Sequence, residues 1–278
     1  MHSTHPDTAP DFEFINKYGP WALIAGASHG VGAAFAYQAA ARGLNCILVA
    51  RRQAALESLK SELQSRYGIE VLVLCQDLST VDAAVRLEDA VERRQVGLMI
   101  YNAGGDPFIS QFLNTSVDNW NRLLRMNTQT VMELSHAFGG KMVTRGRGGL
   151  ILVGSHAALC GVRKLGMYSA TKAFCLNFGE SLWSEWKAHN VDVLNVLIST
   201  VDTPTIRDTM ERLGIPKART MTLPQANDIA ETAFQKLAKG PTLVHPDDLA
   251  ADHNSLGSQR RAQVQAKSEE AASFIGDD

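Results

Sequence analysis

Tyr168 and Lys172 stand four residues apart in a stretch of helical composition, YSATK. That spacing puts a phenol and an ammonium on one helix face. A free phenol titrates near about pH 10, too high for a base at neutrality. A neighbouring ammonium stabilises the phenolate and lowers that value. The pair then suits proton transfer in carbonyl–alcohol chemistry. By itself the spacing says little, since many helices carry a surface Tyr–Lys pair. Ser155 gives it weight, because it ends an apolar run upstream and its hydroxyl can hold a carbonyl oxygen.

A second group of residues suits a phosphate-bearing ligand. Gly26, Ala27, Ser28, His29, Gly30, Val31 and Gly32 follow the first apolar run and lead straight into a helical stretch. Glycines there permit a tight turn, close approach to a pyrophosphate and close helix–strand packing. The helix N-terminus offers free N–H groups and a positive dipole end. The second apolar run ends in Ala50, Arg51 and Arg52, with no carboxylate to accept from a ribose 2′-OH. Arg51 instead supplies a permanently charged fork suited to a 2′-phosphate, so NADP(H) is the expected cofactor. The bland alternative is a solvated arginine pair. Asp77 and Leu78 lie at the end of the third run, where the carboxylate can accept from the adenine amino group. Asn102, Ala103 and Gly104 end the fourth, where small residues let a cofactor lie against the backbone. Each alone is a common strand-end turn signal.

These residues need a scaffold that gathers strand ends along one edge. Apolar runs at 21–28, 45–52, 71–79, 97–105, 149–155, 191–199 and 241–245 alternate with helical stretches such as 32–43, 54–68, 81–94 and 168–187. Continuous buried strands separated by helices imply a parallel sheet covered on both faces by right-handed crossovers. The expectation is an α/β fold: one Rossmann-type doubly wound domain over 19–246, with about seven strands. Residues 1–18 read as a polar arm and 247–278 as a polar tail, helical in part at 258–275.

Composition excludes other classes. The chain has 278 residues, 45% apolar and 20% charged, and 27 basic against 29 acidic residues give −2. No basic field argues for nucleic acid. No apolar run reaches the roughly 18–20 residues that span a bilayer. The polar N-terminus lacks a signal-peptide core. Four cysteines without CxxC spacing disfavour a metal site or a disulfide framework. A cytoplasmic protein with no metal is expected.

Taken together, the motifs resemble those of the short-chain dehydrogenase/reductase family. Its pattern T-G-x-x-x-G-x-G, N-A-G, catalytic Asn, Ser and Y-x-x-x-K is matched by Gly26, Gly30 and Gly32, by Asn102, Ala103 and Gly104, and by Asn127, Ser155, Tyr168 and Lys172, over about residues 19–246. The resemblance implies Tyr168 as general acid/base and Ser155 as the group polarising the substrate oxygen. Lys172 would bind the nicotinamide ribose and lower the tyrosine's pKa. The Asn127 main-chain carbonyl would hold a water in a proton relay to Lys172. Val201 and Thr203 would meet the nicotinamide carboxamide. Two positions depart from the pattern: Ala25 replaces the leading Thr, and Ile198 and Ser199 replace a Pro-Gly pair.

Leu159, Val162, Leu165 and Met167 precede Tyr168, and Ile206, Met210, Leu213, Ile215, Met221 and Leu223 fall in the family's variable lid region. A hydrophobic carbonyl or alcohol substrate is expected: a steroid, fatty-acyl or aromatic ketone. The flanking segments around Lys17 and Lys239 resemble the branch of hydroxysteroid dehydrogenases and 3-ketoacyl reductases. Phe174, Phe178, Leu182, Trp183 and Trp186 cover more than one face of their helix. With the family resemblance, they imply a homodimer or homotetramer. A nucleotide-sugar epimerase or dehydratase on the same scaffold, and a non-catalytic NADP(H) sensor, are the alternatives.

Overall fold

The apolar runs form seven strands: β1 (Trp21–Ala25), β2 (Asn45–Ala50), β3 (Val71–Cys75), β4 (Val96–Tyr101), β5 (Gly148–Ser155), β6 (Val191–Ile198) and β7 (Thr242–His245). In this computed structural model, residues 11–201, 203, 206–208, 211, 224–245, 266, 269–270 and 273 are described. All strand pairs are parallel, in the order β3-β2-β1-β4-β5-β6-β7. The order reverses between β1 and β4, which opens a crevice at their carboxyl ends where ligands of such sheets bind.

Helices α2 (Gly30–Ala41), α3 (Gln53–Tyr67), α4 (Ala83–Val91), α5 (Val117–Leu124), α6 (Thr130–Arg145), α7 (Gly166–Trp186) and α8 (Ala226–Lys236) supply the cover. Side chains alternate across a strand, so β1 feeds two cores at once. Ala22 and Ile24 join Phe35, Leu56, Leu63, Ile229 and Phe234 from α2, α3 and α8. Trp21, Leu23 and Ala25 join Leu87, Leu134, Phe138, Cys175 and Leu182 from α4, α6 and α7. Every residue of β1 is thereby buried. The doubly wound α/β domain expected from the alternation of runs is the one observed.

Of the segment read as a polar arm, residues 1–10 lie outside the described residues, and residues 12–18 form a helix, α1 (Phe12–Tyr18), docked on the core. Asp11 caps it by accepting from the Phe14 N–H at 3.0 Å. Phe14, Ile15 and Tyr18 lie on one face and pack on the core. The Arg42 guanidinium lies over the rings of both Phe14 and Phe234. Tyr18 donates its hydroxyl to Asp192 at 2.5 Å, and Lys17 pairs with the same carboxylate. Three apolar side chains at helical spacing were hidden among polar neighbours in a short segment.

Residues 204 and 205, 209 and 210, and 212–223, which include most of the expected lid, lie outside the described residues, as does almost all of the expected 258–275 helix. Among the described residues no helix is long and apolar enough to cross a membrane.

Candidate active site

The glycine turn sits between β1 and α2, clamped by its neighbours. The N–H groups of Gly26 and Ala27 donate to the Val49 carbonyl of β2, at 2.8 and 3.1 Å. From the other side, Asn102 Nδ2 donates to the Gly26 carbonyl at 3.1 Å, and the Asn102 N–H to Ala25 at 3.0 Å. Gly26 has φ +84°, and a Cβ there would lie 2.7 Å from Ala103 N. At Gly32 a Cβ would overlap the Gly26 carbonyl oxygen. Only bare backbone fits these two positions, so helix α2 begins against the strand end with its first amides free. Val31 is buried and fixes the helix start to the core, and Ser28 lies half-buried in the turn.

His29 occupies the N-cap of α2 but makes no side-chain cap bond, and its Nδ1 is buried without a hydrogen-bond partner. Burial, then the charge of Arg52, hold its pKa below the usual histidine value, against an opposing pull from Asp208. Arg51 and Arg52 are exposed at the end of β2. The methyl of Thr203 lies against Gly30, and Thr203 Oγ1 accepts from the Ile206 N–H at 3.3 Å. Val201 is buried in the core.

Asp77 lies two residues beyond the end of β3 rather than in it. Its Oδ1 accepts from the Ser79 N–H and hydroxyl at 2.9 and 2.8 Å, and Arg122 stands 3.9 Å from Oδ2. Burial raises the carboxyl's pKa, but the Ser79 bonds and the charges of Arg51 and Arg122 outweigh it, and the net direction is down. Asp77 is therefore a fixed acceptor at neutral pH. Leu78 is buried, and its carbonyl accepts from Thr130 Oγ1 at 2.9 Å.

Ser155 closes β5 and is half-buried; its Oγ accepts from the Ala157 N–H at 3.1 Å. Tyr168 and Lys172 lie in the first two turns of α7, with the Lys172 Nζ 5.7 Å from the centre of the Tyr168 ring. Lys172 is 5% exposed, and its ammonium donates to the Val153 carbonyl at 3.0 Å. A buried ammonium needs such a partner, and this one aims it along the end of β5.

Asn127 departs from a regular helix: it lies in a π turn, Arg125–Gln129, between α5 and α6. Its side chain ties the turn to the loop after β4. Nδ2 donates to the carbonyls of Leu123 and Gly105 at 3.0 and 3.2 Å, and Oδ1 accepts from the Gly105 N–H at 3.3 Å. A Cβ on Gly104 would lie 2.5 Å from Asn127 Oδ1 and 3.1 Å from Lys172 Nζ, so these two side chains and this loop converge. The Asn127 carbonyl accepts from the Cys175 thiol at 3.1 Å, and the neighbouring Met126 carbonyl from the Tyr101 hydroxyl at 2.6 Å. Neither Tyr101 nor Cys175 is part of a recognisable motif. The one available signal was an aromatic residue ending a buried strand directly before Asn102.

The arrangement combines a bare helix N-terminus with exposed arginines at one end, and a phenol, an ammonium and a hydroxyl at the other. Such a crevice can hold a phosphorylated dinucleotide and move a proton beside it.

Comparison with known proteins follows this geometry. A protein-family model described as short chain dehydrogenase matches residues 20–213. A 7beta-hydroxysteroid dehydrogenase of Clostridium sardiniense is 32% identical over 226 residues, covering 81% of this chain and 85% of that protein. A structure from work on 7beta-hydroxysteroid dehydrogenase stereoselectivity superposes with a TM-score of 0.82 at 27% identity, covering 91% of this chain and 98% of that one. A short-chain dehydrogenase from Sphingobium yanoikuyae in complex with NADPH does so with a TM-score of 0.75 at 25% identity, covering 92% and 96%.

Proposed function

The chain belongs to the short-chain dehydrogenase family, and from that premise we propose that it is an NADP(H)-dependent oxidoreductase interconverting a hydrophobic ketone and its secondary alcohol. That it is an oxidoreductase acting on CH–OH and C=O groups follows from the family and from its hydroxysteroid dehydrogenase relative. The observation that carries the finer reading is the buried Lys172 ammonium beside the Tyr168 ring, held at the end of the strand that presents Ser155. The residues present fit the cofactor: Gly26 and Gly32, packed too closely on Ala103, Asn102 and each other to admit a Cβ, let α2 start directly at the end of β1, and Arg51 and Arg52 offer cations for a phosphate. When bound, the nicotinamide supplies or accepts the hydride. Ser155 holds the substrate oxygen, Tyr168 gives or takes the proton at that oxygen, and Lys172 anchors the ribose. The Asn127 carbonyl would hold a relay water, and the Val201 N–H and Thr203 would meet the carboxamide.

A 7beta-hydroxysteroid relative supports a steroid-sized ketone, and the apolar wall of Leu159, Val162, Leu165 and Met167 ahead of Tyr168 is consistent with it. A panel of steroid, fatty-acyl, aromatic and sugar ketones, followed by NADPH consumption and by the reverse reaction, tests the reading. Turnover confined to sugars overturns the substrate class, and no turnover in either direction overturns the activity. No disulfide joins the four cysteines, all of them among the described residues, which supports a reducing compartment such as the cytoplasm.

Cofactor preference rests on Arg51. Replacing Arg51 by Asp should weaken NADPH binding by about 1–3 kcal/mol, the scale of a lost charge-assisted contact, and leave NADH nearly unchanged. Fluorescence titration of both nucleotides checks this, and a wild type that prefers NADH would refute it.

Assembly is proposed on α6 and α7. Phe174 and Met132 are exposed large apolar residues on these helices, and Phe174 stacks on Phe178. We expect a homodimer or homotetramer by light scattering at micromolar concentration; a monomer there contradicts it.

A further inference from the structure

The π turn opens the main chain at one point. Its wider pattern, in which the Thr130 N–H reaches back to the Arg125 carbonyl, belongs to a bulge of the kind found inside α-helices at functional sites. The carbonyls of Met126 and Asn127, inside that bulge, are met by side chains from elsewhere in the fold. Tyr101, the last residue of β4, donates to Met126, and Cys175, one turn past Lys172 on α7, donates to Asn127. Both donors are buried. Burial raises the Cys175 thiol's pKa, against the pull of Lys172, and raises that of the Tyr101 phenol, with Cys175 and Glu133 acting in the same direction. Each therefore stays protonated and able to donate at neutral pH.

The Asn127 side chain is committed to Leu123 and Gly105. Its main-chain carbonyl has two lone pairs, and the Cys175 thiol meets only one of them. We propose that Tyr101 and Cys175 are positioning residues that hold the π turn open and aim the Asn127 carbonyl at the relay water shared with Lys172. This rests on the proposed ketone reduction and on the relay reading of Asn127.

Three variants test it: Tyr101→Phe and Cys175→Ala, which delete a donor with little change in shape, and Cys175→Ser, which keeps one. The first two should each lower kcat by about five- to tenfold, the rate equivalent of one lost hydrogen bond. KM and the NADPH Kd should stay as in the wild type. The solvent deuterium isotope effect on kcat should rise, because proton delivery becomes slower, and Cys175→Ser should recover most of the loss. Unchanged kcat and isotope effect in Tyr101→Phe and Cys175→Ala, with only a lower Tm, would mean that both residues merely pack the core and would overturn the proposal. A second measurement needs no turnover. The infrared S–H stretch, assigned as the difference between wild type and Cys175→Ala, should lie at the frequency of a hydrogen-bonded thiol, and a free-thiol frequency overturns the contact. Failure of the wild type on every ketone would instead overturn the activity, and the relay with it.

Discussion

Tyr168→Phe is expected to lower turnover of any accepted ketone by about 10²–10⁴-fold, the usual contribution of a positioned general acid or base. The exchange removes one oxygen and keeps the ring, which is half-buried at the start of α7. Lys172 is held by the Val153 carbonyl rather than by the phenol, so its ammonium should stay in place. NADPH affinity should accordingly be retained, and Tm should shift little. Stopped-flow reduction of the ketone together with a nucleotide titration separates the two effects. Near-normal turnover in Tyr168→Phe would place the proton donor elsewhere and remove the basis of the site assignment.

Gly32→Ala should be nearly as damaging, by another route. The added Cβ would overlap the Gly26 carbonyl oxygen and lie 2.7 Å from Asn102 Nδ2. One of those groups must move, and the Asn102–Gly26 bond that joins the ends of β4 and β1 would be the casualty. Overpacking of this kind costs about 1–3 kcal/mol of stability, readable in denaturant unfolding. The turn proposed to receive the phosphates would be displaced at the same time. NADPH affinity should fall at least about a hundredfold, since each ~1.4 kcal/mol of lost contact is tenfold. Wild-type stability and affinity in Gly32→Ala would contradict the packing described for this turn.

The sheet was readable because buried parallel strands are written as unbroken apolar runs, and all seven runs became strands. Their limits were less readable. Asp77 falls beyond β3 because the strand stops at Cys75, where its pairing with β2 runs out. The glycine turn and the Tyr168–Lys172 spacing carry their chemistry in local sequence, so a turn at the end of β1 and a Tyr–Lys pair on one helix face could be anticipated. The π turn could not, because its carbonyl partners, Tyr101 and Cys175, are 25 residues before Met126 and 48 after Asn127. Helix α1 escaped notice for a similar reason. Its grip on the core depends on Arg42, Asp192 and Phe234, which only the folded chain brings to it.

Strand β5 presents Ser155 at its end and, two residues earlier, the carbonyl that receives Lys172. The strand and the first turns of α7 are therefore fastened to each other at the site itself as well as through the core. Thermal displacement of the helix along the sheet must carry Lys172 with it or break that bond. The favoured fluctuations are those in which strand end and helix start travel in phase, so the separation between serine hydroxyl and lysine ammonium should vary less than the position of either. Precision at this site is relative, set by a common frame of reference rather than by the stillness of any one group.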